Sequence, residues 1–342
     1  MTALSAITFL ALEAIGGALT LTYGFNYVVV AVILVSIIIF ALSMPIAINA
    51  AKNGLDIDLL TRGAGFGYLG STVTSLIYAS FTFIFFALEA AIMAMALNML
   101  FGLPLHFGYL IGSVVVIPLV TWGFTFISRF QQFTQFCWLA LQLLPFIFIL
   151  IREHHVLQNW IDFPGFITAR DGSFDFLQLG AVCSVLLSLV SQVGEQVDQV
   201  RFLPKPQHPA RWRWYGAVIA AGPGWVVIGA IKILLGSFLA VLAFNYGLGA
   251  ELASEPTHMY LVAFSYVTHS SSTLLALTGI FVVLSQLKIN VTNAYAGSIA
   301  WSNFFLRLTH RHPGRVVWLF FNVGIALLLM ELGVYRVFED IL

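Results

Sequence analysis

Apolar residues run along this chain in long blocks, and polar residues interrupt those blocks at only a few positions. The blocks predict helices at 3–24, 27–50, 68–101, 104–127, 132–151, 176–200, 215–245, 258–308 and 315–336. A bilayer is crossed by roughly 20 apolar residues in a helix. The 258–308 block is too long for one crossing; Pro256 and the cluster His269–Thr273 predict a short entry helix before a full span. The pattern therefore predicts nine crossings. Within Asp175–Pro204 the first half is apolar, while the second carries Gln192, Glu195, Gln196, Asp198 and Gln199 before Arg201. At helical period Ser184, Ser188, Ser191/Gln192, Glu195 and Gln199 form one stripe. A charge facing lipid costs roughly 3 kcal/mol or more. The stripe is thus expected to face the interior or a water path, with Gly194 where the helix loosens. Asp198 and Arg201 also fit a helix leaving the membrane into a polar loop.

Composition turns these blocks into a class. The 342 residues are 60% hydrophobic and 9% charged, against roughly 25% charged in a soluble domain, which makes this a polytopic membrane protein. Lys+Arg and Asp+Glu balance at 15 each, so no field favours nucleic acid. Cys137 and Cys183 lie far apart in apolar stretches and offer no disulfide or metal framework. His154–His155, His310 and His312 fall in loops without ligand spacing, and no cofactor is expected. No cleavable signal peptide is evident. Basic residues alternate. Lys52 and Arg62 flank the second loop, Arg129 the fourth, Arg201, Lys205, Arg211 and Arg213 the sixth, and Arg307, Arg311 and Arg315 the eighth. The odd loops hold only Arg152 and Arg170 in the fifth, and Glu251 with Glu255 in the seventh. By the positive-inside rule the N-terminus is cytoplasmic and 152–175 and 246–257 face outward, in a multi-pass protein of a bacterial inner membrane.

Polar groups within the crossings are the candidate chemistry. Glu13 precedes Gly16-Gly17, a pair that allows either an unwound turn able to bind a ligand or close packing of helices. Glu89 follows the aromatic run Phe81, Phe83, Phe85, Phe86; Lys232 follows Gly222-Pro223-Gly224. Gln286, Lys288, Asn290, Thr292 and Asn293 crowd the eighth span, and Glu331 is near the outer end of the ninth. Buried charges pair or neutralise, so Glu13, Glu89 and Glu195 against Lys232 and Lys288 predict at least one Glu–Lys pair across helices, structural or functional. Glu195 and Asp198 beside Arg201 read as a cytoplasmic gate or anchor rather than acid–base catalysis, and phosphate loops are absent. The chain is not expected to be an enzyme.

Four segments carry a resemblance. Gly54, Arg62, Phe66, Gly67 and Gly70 lie in the loop after the second span, and Asp198-Gln-Val-Arg201-Phe202 ends the sixth. Asn290-Val-Thr-Asn293-Ala-Tyr295-Ala-Gly297-Ser298 lies in the eighth, and Gly16-Gly17 is followed by a turn at Tyr23–Asn26. In this order they resemble the nucleobase:cation symporter-1 family, the purine–cytosine permeases. The resemblance implies an all-α, leucine-transporter-type five-plus-five inverted repeat. One transmembrane domain would cover 1–342, with a first repeat of about 1–152 and an incomplete second repeat of about 174–342. The tenth helix would be missing, so the chain is expected to be the N-terminal part of a longer protein, with Glu339 and Asp340 outside.

The family binds substrate where the first and sixth helices break, with the third and eighth completing the pocket. That implies substrate contacts from Glu13, Gly16, Gly17, Phe85, Glu89, Ser188, Ser191, Gln192, Asn290 and Asn293. Phe85 falls about where the family often places a stacking tryptophan, and the amides and hydroxyls would read the edge of a heterocycle. The family's sodium site usually draws hydroxyls from the eighth span, where this chain has Ile289 and Asn290 beside Lys288. The implied ion site or ion substitute is Lys288, Gln286 and Glu13, with the Lys288 ammonium paired to Glu13 in place of sodium and protons as the coupling ion. Arg62, Asp198 and Arg201 form the implied cytoplasmic gate. The expected function is secondary transport of a small nucleobase-like or other nitrogenous solute. The alternative is a ligand-sensing module of a histidine kinase, its signalling domains fused beyond residue 342.

Overall fold

The computed structural model describes residues 7–153, 155–167, 174–205, 211–311 and 313–333, and helices are their only regular elements. His154, Arg170, His312, Glu339 and Asp340 lie outside the described residues. Helix α1 is Ala11–Tyr23 and α2 is Phe25–Asn53; α3 is Ile57–Thr61, followed by a π-helical turn at Arg62–Phe66. Then come α4 (Gly67–Phe101), α5 (Leu105–Thr121), α6 (Phe124–Arg152) and α7 (Val156–Ile161). The sixth span divides into α8 (Phe176–Leu187), a 3-10 turn at Ser188–Gln192 and α9 (Val193–Val200). The rest are α10 (Arg211–Ala221), α11 (Gly224–Asn245), α12 (Ala250–Ser254), α13 (Pro256–Ser265), α14 (Ser271–Thr309) and α15 (Arg315–Glu331).

Among the described residues, six helices are long and apolar enough to cross a membrane: α2, α3 with α4, α6, α8 with α9, α10 with α11, and α14. A shorter apolar helix, α5, lies in the fourth predicted block, and α1 and α15 lie in the first and the last. As the sequence pattern implies, Pro256 opens a short helix and the full span starts again at Ser271. Two boundaries differ. The fourth helix stops at Thr121 and the fifth begins at Phe124, not 132, because Gly123 turns the chain at φ 85°. Arg129, Gln131, Gln132 and Gln135 lower the hydropathy of that first stretch without breaking its helix. The seventh span is interrupted at Gly222-Pro223, where proline begins a new helix at α11.

Two pairings organise the bundle: α14 lies along α4, and α1 along α11. The second is very close. A Cβ on Gly16 would fall 2.0 Å from the Ile233 carbonyl oxygen, and one on Gly236 would fall 2.1 Å from that of Glu13. Residues 163–167 strap the α1–α2 junction through Phe25 N–H to Phe163 O (3.0 Å), Phe166 N–H to Leu21 O (2.9 Å) and Ile167 N–H to Thr22 O (2.9 Å). Gly24 makes this crossing possible, with φ 87° and the Pro164 carbonyl 2.2 Å from where a Cβ would stand. Gly24→Ala should therefore lower the stability of the detergent-solubilised protein by about 1–3 kcal/mol, read from its thermal unfolding.

Candidate solute site and its charge networks

Helix α1 is short because its N-terminus is made inside the protein. Residues 7–10 are not helical, and the first turn begins at Ala11. The orphan amides there need acceptors. Glu89, fully buried on α4, provides them, with one oxygen 3.3 Å from Leu10 N and the other 3.4 Å from Ala11 N. A carboxylate at a helix N-terminus is also favoured by the helix dipole. The chain thus breaks before Ala11 and not at Gly16-Gly17. Those glycines sit inside continuous helix, packed on Ile233, Gly236 and Ala240 of α11, so the close-packing alternative is the one realised.

Glu13, in that first turn, is fully buried and meets Lys232 of α11, Nζ to Oε1 3.0 Å. The same oxygen accepts from Tyr260 OH (2.8 Å) and Gln142 Nε2 (3.4 Å), and Gln142 also donates to Tyr260 OH at 2.6 Å. The Lys232 ammonium stands 5.5 Å from the centre of the Trp138 ring, and Trp138 Nε1 donates to Ser285 Oγ at 2.8 Å. The expected Glu–Lys pair exists, but its lysine is Lys232. Lys288 points elsewhere. Its Nζ donates to Gln131 O and Thr134 Oγ1 of α6, both at 3.0 Å, while Gln131 Nε2 donates back to Lys288 O at 2.7 Å. The reason is helical period: Ser285, Lys288 and Thr292 share the face turned to α6. The ammonium beside Glu13 is therefore that of Lys232, and Lys288 does not pair with Glu13.

A second face of α14 holds Gln286, Asn290, Asn293 and Gly297. Gln286 is beside Glu89, and a Cβ on Gly297 would meet Thr82, so this face is turned to α4. The Gln286 amide faces the Glu89 carboxylate, and Nδ2 of Asn290 is buried without a hydrogen bond; Asn293 Nδ2 reaches only Asn290 Oδ1, at 3.5 Å. Phe85 is buried with its ring centre 4.5 Å from that of Phe81.

The sixth span loosens as expected, at Ser188–Gln192 just before Gly194. Its polar stripe divides. Ser184 and Ser188 are exposed and bond back to Ala181 O (2.8 Å) and Val185 O (2.7 Å), whereas Gln192, Glu195 and Asp198 are buried. The 3-10 turn advances about 120° per residue instead of 100°, so a stripe drawn at 3.6 residues per turn does not continue through it. Ser191 is half-buried in that turn, and Gln192 Nε2 is buried without a partner. Gln192 lines a narrow cleft with Phe9, Glu195, Gln199 and Trp225. Glu13 with Glu89, and Gln192 with Glu195, thus form two neighbourhoods, one at the start of α1 and one on the broken sixth span.

At the end of the bundle where bases gather, the expected gate residues join a larger network. Arg201 reaches Asp56 (3.5 Å) and Asp198 (3.8 Å), Tyr78 OH donates to Asp198 at 3.3 Å, and Arg62 lies 3.6 Å from Asp58. Arg307 contacts Asp58 and Ser71, and Ser75 Oγ donates to Asp58 at 3.1 Å. Sequence reading left out Asp58, Tyr78 and Arg307 here, and Gln142, Tyr260 and Trp138 above. Gln142 and Tyr260 were visible as polar atoms in apolar blocks; Arg307 looked like one more loop base. At the opposite end Tyr266 is pushed up to about 12 by burial and then by Glu153, so it remains a neutral donor beside Arg152 and His269.

No family model matches this chain, and no curated protein does. Solved structures do. One is Mhp1, a nucleobase-cation-symport-1 family transporter, in a closed conformation with bromovinylhydantoin bound: TM-score 0.67 and 17% identity over 99% of this chain and 73% of that one. Another is the inward-facing conformation of Mhp1, with TM-score 0.66 and 18% identity over 99% and 70%. At such identity the likeness establishes the fold. This chain is a multi-pass, all-helical membrane protein of the leucine-transporter type.

Proposed function

We propose that the chain is a secondary transporter that moves a small nitrogenous heterocyclic solute by alternating access. The observation that carries this reading is a pair of buried amide nitrogens without partners, Gln192 Nε2 on the broken sixth span and Asn290 Nδ2 on α14. An unmet buried donor or acceptor costs about 1–3 kcal/mol, and a heterocycle edge presenting N–H and C=O groups would relieve it. Discontinuous helices around a polar midplane are how such carriers build their sites. The Mhp1 structures, closed with a hydantoin and inward-facing, support the same reading. The proposed contacts are Gln192, Ser191, Gln286, Asn290 and Asn293, with Phe85 as the apolar wall and Glu89 fixing the α1 terminus. Gly16, Gly17, Ser188 and Glu13 are left out because they are packed, exposed or ion-paired.

The repeats would divide at about 152 and 174, and the network of Asp56, Asp58, Arg62, Asp198, Arg201 and Arg307 would close the cytoplasmic side. The sensory reading gains no support from the fold. Uptake of labelled bromovinylhydantoin and of a nucleobase panel into proteoliposomes tests the proposal. Saturable uptake of at least one is expected, and Asn290→Ala should weaken it about tenfold, equivalent to roughly 1.4 kcal/mol. No saturable uptake of any compound, or uptake indifferent to both Asn290→Ala and Gln192→Ala, overturns it.

A further inference from the structure

Among the described residues, every buried acid but one has a cation or backbone amides beside it. Glu13 has Lys232, Asp58 has Arg307 and Arg62, Asp198 has Arg201 and Tyr78, and Glu89 holds the amides that open α1. Glu195 is 7% exposed, and it accepts from the Gln199 amide, Nε2 to Oε1 3.3 Å. Among the described residues no Lys, Arg or His forms an ion pair with it. The charged and titratable groups around it are accounted for. Asp198 and Arg201 on its own segment, Asp56 and Asp58 at α3, and Tyr78 from α4 belong to the network described above. Lys52 at the end of α2 and Arg211 and Arg213 at the start of α10 are exposed, and Tyr295 of α14 is engaged by Arg315.

Glu195 also stands where two clefts meet. One is the narrow cleft with Gln192 and Trp225; the other is lined by Phe124, Asp198, Thr292 and Tyr295, and Glu195 and Gln199 belong to both. A buried carboxylate without a cation does not stay charged at low cost; it takes a proton or a positive ligand. A hard metal cation is held by a shell of six or more oxygens. Beside Glu195 stand two amide donors, Gln199 Nε2, which already donates to it, and Gln192 Nε2, open in the same cleft, while the neighbouring Asp198 is taken up by Arg201 and Tyr78.

We propose that Glu195 is a proton-binding site. An O–H bond forms on its carboxylate, hydronium reverts to water, and the side chain goes from charge −1 to 0; release reverses both changes. What the proton would drive is the transport proposed above, so that part rests on that reading, while the site itself does not. The test uses the full chain in liposomes and infrared difference spectra between alkaline and acid buffer, with no solute. A protonated-carboxyl C=O stretch that appears on acidification is expected in the wild type and in Glu89→Gln, lost in Glu195→Gln and shifted in Glu195→Asp. A difference spectrum that Glu195→Gln leaves unchanged overturns the proposal, as does a band that sodium abolishes at constant pH. If the band behaves as expected but no solute is taken up under an acid-outside gradient, the proton site stands and the transport reading falls.

Discussion

Lys232→Ala is expected to destabilise the protein by about 3–5 kcal/mol, because it strands Glu13 with neither water nor cation. Glu13 is 0% and Lys232 2% exposed, and Oε2 of Glu13 is already without a partner. Removing the ammonium leaves only Tyr260 and Gln142 against a full negative charge. The asymmetry of a buried pair supplies the control. A charge left alone is costly, whereas replacing both charges by groups of similar size is often neutral. Glu13→Gln with Lys232→Met should recover most of the loss, since a glutamine still accepts from Tyr260 and methionine still packs on Trp138. Thermal unfolding of the purified single and double variants in one detergent measures this. Equal losses in Lys232→Ala and the double variant would show that packing, not charge, was removed.

Gly236→Leu should be the other severe change. At that position the α1 backbone stands where the Cβ would go, with Glu13 Cα at 2.3 Å and its carbonyl carbon at 2.5 Å. Backbone cannot step aside as a flexible side chain can, and interiors have no slack to absorb the shift. Overpacking of this kind costs roughly 1–3 kcal/mol or more, and here it would also part Glu13 from Lys232. The expected result is loss of folded protein for Gly236→Leu and a smaller loss for Gly236→Ala. Size-exclusion profiles with thermal unfolding check it. A Gly236→Leu variant as stable as the wild type would mean that α1 and α11 do not lie this close.

Much of the fold was legible in the sequence. Apolar blocks located the long helices, Pro256 marked the entry helix, and the polar run after Leu187 marked the loosened sixth span. Hydropathy carries that information because a lipid-facing helix must be apolar along its whole length. It gave less where a helix is short or polar: Gln131 and Gln135 lowered the signal at the start of α6, and α1 begins late because its first turn is held by a residue on α4.

The sequence by itself determined which side chains would be buried and charged within the membrane, and that some would have to pair. Only the tertiary structure decided the partners. Glu13 and Lys232 are 219 residues apart and meet because small residues let α1 lie against α11, while Lys288 turns to α6 with Ser285 and Thr292. Helical period assigns a residue to a face, but which neighbour that face meets depends on how close two backbones can come and where each helix is broken. For Glu13, Glu89 and Glu195 that geometry separates an ion pair, a helix cap and a carboxylate with no cation beside it.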